Sequence, residues 1–441
     1  MSFEVCTDFH TLECEQFCAR VADGTHDSPK EASDGKLLVT SKNVKDGRLS
    51  LDSAYLISKK DFDNINKRSK VDQWDLLLTM IGTVGEVCLI TSKNPDFAIK
   101  NVGLLKCGNE LKAKWLYYFL RSPQGQRLIE QRKKGSTQQY ISLTEIRGLP
   151  VSFPKNVGLM GNIVDVLTCL DDRITLLRET NTTLEAIAQA LFKSWFVDFD
   201  PVRDKMADRV LKGMDETTAM LFPNGFENLN GKLLPKGWRI GKVSELGQVV
   251  CGKTPSTSEA DNYGSDVPFI TIPDMHGHLV VTSTRRNLSL KGASTQRGKY
   301  LPEGAVCVSC IATPGLVARI TKPSQTNQQI NSVIPAAQWG KSFSLFSLLQ
   351  IGEAVKTGGS GGSVFHNLSK SGFENLPTLL PTEKIAALFD ELVEPIVLKI
   401  ISNQEHTEVL STLRDTLLPR LISGQLRLPQ AQVELEAAGA I

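Results

Sequence analysis

Between Ile163 and Trp195 the apolar residues recur in alternating steps of four and three. Ile163, Leu170, Leu177, Leu184 and Leu191 form one row, and Leu167, Ile174, Asn181, Ala188 and Trp195 form the other. Such a stripe is the seam of a coiled coil and is hidden only by a partner helix. Thirty-three residues at roughly 1.5 Å each make a rod of about 50 Å. The pattern returns 226 residues later, with Phe389, Ile396, Asn403, Leu410 and Leu417 in one row and Val393, Ile400, Thr407, Arg414 and Leu421 in the other. Two equal rods around a large insertion suggest an antiparallel pair within one chain. The competing reading is two amphipathic helices, each packed on its own domain. Pro395 is expected to kink or delay the second helix.

The segments around the rods repeat as well. Ile81-Gly82-Thr83-Val84-Gly85 aligns with Ile311-Ala312-Thr313-Pro314-Gly315 at an offset of 230, and Asn101 aligns with Asn331. Leu149-Pro150 aligns with Leu376-Pro377 at 227. The expected fold class is α+β: two similar mixed α/β globules separated by two long helices in an antiparallel intramolecular coiled coil, with pseudo-twofold symmetry. The boundaries read as a first globule at 1–154, a first spacer helix at 155–203 and a linker at 204–233. A second globule follows at 234–380, a second spacer helix at 381–425 and a tail at 426–441. Asp75–Thr91 reads as a buried hairpin and Leu111–Gln131 as one aromatic helix. Asp200-Pro201 reads as a helix-ending turn, and the polar run after it as a linker with little structure.

At 441 residues there is room for two cores, and 41% hydrophobic with 22% charged residues is ordinary for a globular protein. No apolar run approaches the roughly 20 residues of a membrane span. The N-terminal stretch has the pattern of neither a signal nor a transit peptide. Nine scattered cysteines fit reduced thiols in the cytoplasm. A net charge of +2 requires any contact with nucleic acid to rest on local charge.

Two similar, non-identical globules on a rigid spacer suit a bipartite ligand, and double-stranded DNA is the natural one. Six cations (Lys114, Arg121, Arg127, Arg132, Lys133, Lys134) against the single acid Glu130 form a candidate phosphate strip. Ser136, Thr137, Gln138 and Gln139 follow it as candidate base readers. In the second globule the candidates are Arg285, Arg286, Arg297, Lys299, Lys356, Ser360, Ser363 and His366. The structural alternative is a solvated basic helix face and a flexible Gly/Ser turn.

No catalytic constellation is found. Asn94-Pro95-Asp96-Phe97 lacks the second proline of a DNA methyltransferase motif. Asp198, Asp200 and Lys205 are a poor nuclease set, and the Gly-rich run at 358–362 has no following Lys-Ser/Thr for a phosphate loop. Cys307 and Cys310 alternate within a buried-strand pattern with no second pair, and His276 and His278 flank a turn, so no metal site is expected.

Leu191–Arg203 (LFKSWFVDFDPVR), Leu413–Leu428 (LRDTLLPRLISGQLRL), Leu234–Trp238 (LPKGW) and Gly252–Thr257 (GKTPST) carry a resemblance to the specificity subunits of type I restriction-modification systems. It spans nearly the whole chain. The resemblance implies a non-catalytic DNA-recognition subunit that binds two methyltransferase subunits and, in the full complex, two restriction/translocase subunits. S-adenosylmethionine, ATP and magnesium would belong to those partners and no cofactor to this chain. It further implies a spacer and docking surface containing Leu170, Leu177, Leu184, Leu191, Lys193, Trp195, Phe196 and Phe199, with Leu410, Arg414, Leu417, Pro419, Arg420 and Leu421. The alternative is a scaffold or decoy that binds the partner subunits without reading DNA. Ala312 departs from the usual glycine of the hairpin, so that turn is expected to be reshaped.

Overall fold

The computed structural model describes residues 9–209, 214–229, 231–356, 368–426 and 428–437. The chain divides into two compact units, residues 1–174 with 408–441, and residues 175–407. Each holds one recognition domain and a part of both long helices, Val157–Phe196 and Glu383–Ile422.

In the first unit, strands Arg20–Asp23, Val102–Lys106, Asp75–Thr79 and Val87–Leu89 form a sheet in that spatial order. One of its two inner strands, Asp75–Thr79, is buried at all five positions, as a strand covered on both faces must be. Strand Glu31–Val39 runs parallel to Phe97–Ile99. Phe9–Glu13 pairs antiparallel with Pro150–Pro154 and brings the domain's two ends together. In the second unit Gly247–Cys251, Ile330–Pro335, Val306–Ser309 and Val317–Ile320 repeat the sheet order, with Val280–Val281 added at the edge. Val267–Ile270 runs parallel to Gln325–Thr326, and Arg239–Lys242 pairs antiparallel with Pro377–Leu380. The two domains are thus built on one plan.

Asn156 starts the first long helix, accepting the Leu159 N–H on its side chain at 3.0 Å. Gly424, at φ +74°, ends the second, with Leu426 N–H returning to the Arg420 carbonyl at 3.0 Å. The seam read in sevens is the buried face. In the first unit Ile163, Leu167, Leu170 and Ile174 are buried, as are Leu410, Leu417 and Leu421. Arg414 occupies a seam position there and pairs with Asp171 at 2.7 Å. In the second unit Asn181 bonds to Asn403 and Trp195 packs on Phe389, so the two helices run antiparallel.

Several local expectations need correction. Pro395 neither delays nor ends its helix, which begins at Glu383 and continues to Ile422. The carbonyl deprived of its donor belongs to exposed Glu391 and can bond water. The aromatic helix is two helices, Glu110–Arg121 and Pro123–Glu130, because Ser122 caps the second through Gly125 N–H and Pro123 sits in its first turn. Asp200-Pro201 opens a helix, Asp200–Met206, rather than closing one. The expected linker holds a helix, Glu216–Leu221, and a hairpin of Phe226–Leu229 with Lys232–Pro235, anchored where buried Phe222 meets Trp195 edge-on at 5.0 Å.

Candidate nucleic-acid face and spacer

The duplicated hairpin is held by one hydroxyl in each domain. Thr79 Oγ1 donates to the Thr83 carbonyl and accepts the Glu86 N–H at 2.9 Å. Ser309 Oγ donates to the Thr313 carbonyl at 2.6 Å and accepts the Leu316 N–H at 2.8 Å. A hydroxyl at this position satisfies a donor and an acceptor that the tight turn leaves unpaired. Gly82 takes φ +82°, and Ala312 takes φ +66° at the matching place. The turn is therefore not reshaped by the missing glycine; the alanine carries the left-handed strain instead.

In the first domain a polar loop is stitched to this hairpin. Lys134 and Tyr140 exchange backbone hydrogen bonds at 2.8 and 2.9 Å, Gly82 N–H reaches the Gln139 carbonyl at 3.3 Å, and Ile141 N–H reaches the Met80 carbonyl at 2.9 Å. Gly135 turns the loop at φ +90°, where a Cβ would lie 2.4 Å from the Gln138 carbonyl oxygen. Ser136, Thr137, Gln138 and Gln139 are all exposed on it. Their hydroxyls and amides face solvent on a closed, positioned loop, the arrangement that reading base edges requires. In the second domain the Leu368 N–H meets the Cys310 carbonyl at 3.1 Å, matching the bond from Ile141 to Met80. Ser360, Ser363 and His366 lie outside the described residues, and Lys356 ends the helix Lys341–Lys356.

The basic strip is less free than its composition suggests. Lys114 pairs with Glu110 at 2.7 Å and lies over the Trp74 ring. Lys133 pairs with Glu130 at 2.5 Å, Lys134 with Glu145 at 2.8 Å and Arg132 with Glu145 at 3.9 Å. The Lys134 contact holds the Glu145 carboxyl below its ordinary range and raises the Lys134 ammonium. Arg121 bonds Tyr117 Oη at 2.6 Å and faces Asp171. Counting acids between positions 114 and 134 missed Glu110, one helical turn upstream, and Glu145, which only the fold brings near. Arg127 is exposed and makes no ion pair among the described residues. In the second domain Arg285, Arg286 and Arg297 are exposed, with Arg286 over the Tyr263 ring at 4.5 Å and Lys299 half-buried.

The spacer residues separate into core and surface. Leu170, Leu410, Leu417 and Leu421 are buried seam, and Leu177, Leu184 and Leu191 are half-buried. Trp195 and Phe196 lie within the second domain's core, against Phe222, Trp238, Phe343 and Phe389. Burial inside their own chain makes both of them core side chains rather than exposed surface. Lys193 is exposed beside Asp198, half-buried Phe199 caps the next helix at φ +58°, and Arg420 bonds Glu434 at 3.0 Å. The long helices also expose apolar groups, among them Leu176 and Ile187 on one and Leu392, Leu398 and Val409 on the other, each about half exposed. Sequence reasoning passed over them; their signal was an apolar residue off the heptad seam.

Cys307 and Cys310 are buried, and burial pushes the Cys307 thiol up to about 12. Among the described residues no group of three or more His, Cys, Asp or Glu is placed to hold a metal, and no helix is long and apolar enough to cross a membrane.

The family model for the type I restriction modification DNA specificity domain matches this chain twice, over residues 27–186 and 235–417. The chain belongs to that family. The double match coincides with the duplicated plan of sheet, hairpin and long helix. Among curated relatives, the specificity subunit of the type I restriction enzyme HindI from Haemophilus influenzae is 39% identical in an alignment of 340 residues that covers 68% of this chain and 74% of that one. The MjaIX specificity subunit from Methanocaldococcus jannaschii is 24% identical over 365 residues, 80% of this chain and 78% of that one. The fold is that of the type I S subunit from M. genitalium, with a TM-score of 0.57 at 14% identity over 96% of this chain and 98% of that one. As a family member the chain is a specificity subunit serving DNA sequence recognition in restriction-modification systems, and the decoy reading is not favoured.

Proposed function

We propose that each recognition domain reads one half of a split, asymmetric target in double-stranded DNA. The coiled coil sets the unread gap and docks two methyltransferase subunits. The observation that carries this is the same hydroxyl-braced hairpin occurring twice with different adjoining residues: equal scaffolds with unequal readers call for unequal half-sites. Exposed apolar side chains on the long helices, Leu176, Ile187, Leu392 and Leu398, support docking of a partner there. In this reading the chain performs no chemistry. S-adenosylmethionine is held by the methyltransferase subunits, ATP and magnesium by the two restriction/translocase subunits, and the complex works in the cytoplasm.

The test is long-read methylation mapping in cells carrying this chain with its cognate methyltransferase subunit. A bipartite adenine-methylated motif that depends on the chain is the expected result. Co-purifying subunits that add no methylation would overturn the reading. One heptad inserted into both long helices should lengthen the gap and leave both half-sites unchanged.

A further inference from the structure

Three thiols in the first recognition domain form a chain that the duplicated plan does not require. Cys18 Sγ lies 3.9 Å from Cys14 Sγ and 3.9 Å from Cys107 Sγ. All three are buried. The backbone explains the convergence. Cys14 opens the short helix Cys14–Phe17, and Cys18 N–H bonds back to the Cys14 carbonyl at 2.9 Å. Cys107 follows strand Val102–Lys106, whose last carbonyl accepts the Ala19 N–H at 2.8 Å. In the second domain Val243 N–H bonds the Leu376 carbonyl as Cys14 N–H bonds that of Leu149. Val243 and Gly247 therefore stand where Cys14 and Cys18 stand, and Ala336 follows the matching strand. The fold needs no sulfur at these places.

We infer that Cys18 is an oxidation-sensitive thiol that closes an intramolecular disulfide with Cys107 or Cys14 when the chain meets a peroxide. Hydrogen bonds from the Cys107 and Cys14 thiols favour the Cys18 thiolate, as does the nearby Lys112 ammonium, and bring its titration down to about 5. The same contacts keep both neighbours protonated. Glu15 and Ala19, flanking the cluster, line a cavity of about 340 Å³ with Arg20, Arg68 and Arg147, which brings solvent to the residue beside Cys18. The Cys18 thiolate attacks one peroxide oxygen, the O–O bond breaks, and Cys18 sulfenic acid and hydroxide form. The neighbouring thiol then loses its proton and attacks the Cys18 sulfur. The S–O bond breaks, and water leaves as the S–S bond forms. Cysteines one helical turn apart have Cα atoms about 6 Å apart, within the span of a disulfide, so closure with Cys14 asks for side-chain rotation rather than unfolding.

The experiment treats the reduced full-length chain with hydrogen peroxide, blocks free thiols at intervals and maps every cysteine by mass spectrometry. Exposed Cys169 is the internal standard. Cys18 should be consumed roughly tenfold faster than Cys169, yielding a peptide pair linked through Cys18 that a dithiol reductant separates. Cys18→Ser should abolish the linked pair. Oxidation of Cys169 ahead of Cys18, or a linked pair that survives Cys18→Ser, would overturn the inference. The rate comparison needs only the wild-type chain, so it stands even if a variant folds poorly.

Discussion

Asn403 donates its side-chain amide to Asn181 Oδ1 at 2.9 Å across the seam of the two long helices. Asn181 in turn donates to the Ile400 carbonyl at 3.0 Å. A polar pair at one layer of an apolar seam is satisfied in a single register and is stranded by any slip, so it specifies alignment at a cost in stability. Replacing both by leucine should raise stability by about 1 kcal/mol, whereas Asn181→Leu alone should lower it by about 1–3 kcal/mol by stranding buried Asn403. Urea midpoints of the three chains decide this. A single variant as stable as the double would contradict the register role.

Asp171 gathers the first domain onto the helices. It accepts from Tyr118 Oη at 3.1 Å and from Arg414 at 2.7 Å, and it faces Arg121 at 3.7 Å. Asp171→Ala should cost about 2–3 kcal/mol, somewhat under the full effect of breaking a wholly buried pair. Thermal unfolding of the variant measures it.

Arg319 is buried and grips Glu394 with both terminal nitrogens, at 2.6 and 2.7 Å. Burial alone would raise the Glu394 carboxyl; the bonds and charge of Arg319, with the Ser342 hydroxyl, outweigh it and leave the group lowered. A carboxyl lowered in the folded state adds stability that is present above its unfolded value, about 4.3, and is lost as pH falls through the folded value. Glu394→Gln should therefore destabilise the chain at pH 7 and flatten part of the acid limb below about pH 4.3. Denaturation midpoints between pH 3 and 7 for both chains supply the comparison.

Ala312→Gly should stabilise the second domain by about 0.5–1 kcal/mol, since glycine takes φ +66° without strain. A loss of stability would place the cost elsewhere in the turn.

For DNA binding by the assembled complex, Arg127→Ala should weaken affinity more than Lys133→Ala, because Lys133 already serves Glu130. It should also reduce the slope of log affinity against log salt by about 0.9 for each phosphate that is no longer neutralised. Leu176→Lys with Ile187→Lys should leave DNA reading by an assembled complex unaltered and lower methyltransferase-subunit affinity more than about tenfold, one such factor being 1.4 kcal/mol. Titration calorimetry with the purified subunit gives that number.

The sequence by itself determined the long helices, the seam and the duplication. A heptad stripe and a recurring hairpin are local, periodic signals set by helical geometry and turn chemistry, and Ile163 to Leu421 kept their predicted sides. Tertiary structure decided what periodicity does not encode. Trp195 and Phe196 have the composition of a docking surface, yet Phe343 and Phe389, far along the chain, bury them. Lys134 looks like a free phosphate ligand until the fold brings Glu145 within 2.8 Å. Three cysteines scattered between positions 14 and 107 become one thiol cluster through a strand pairing. In each case a deciding partner lies outside the local periodic pattern, and burial and charge pairing depend on distance in space.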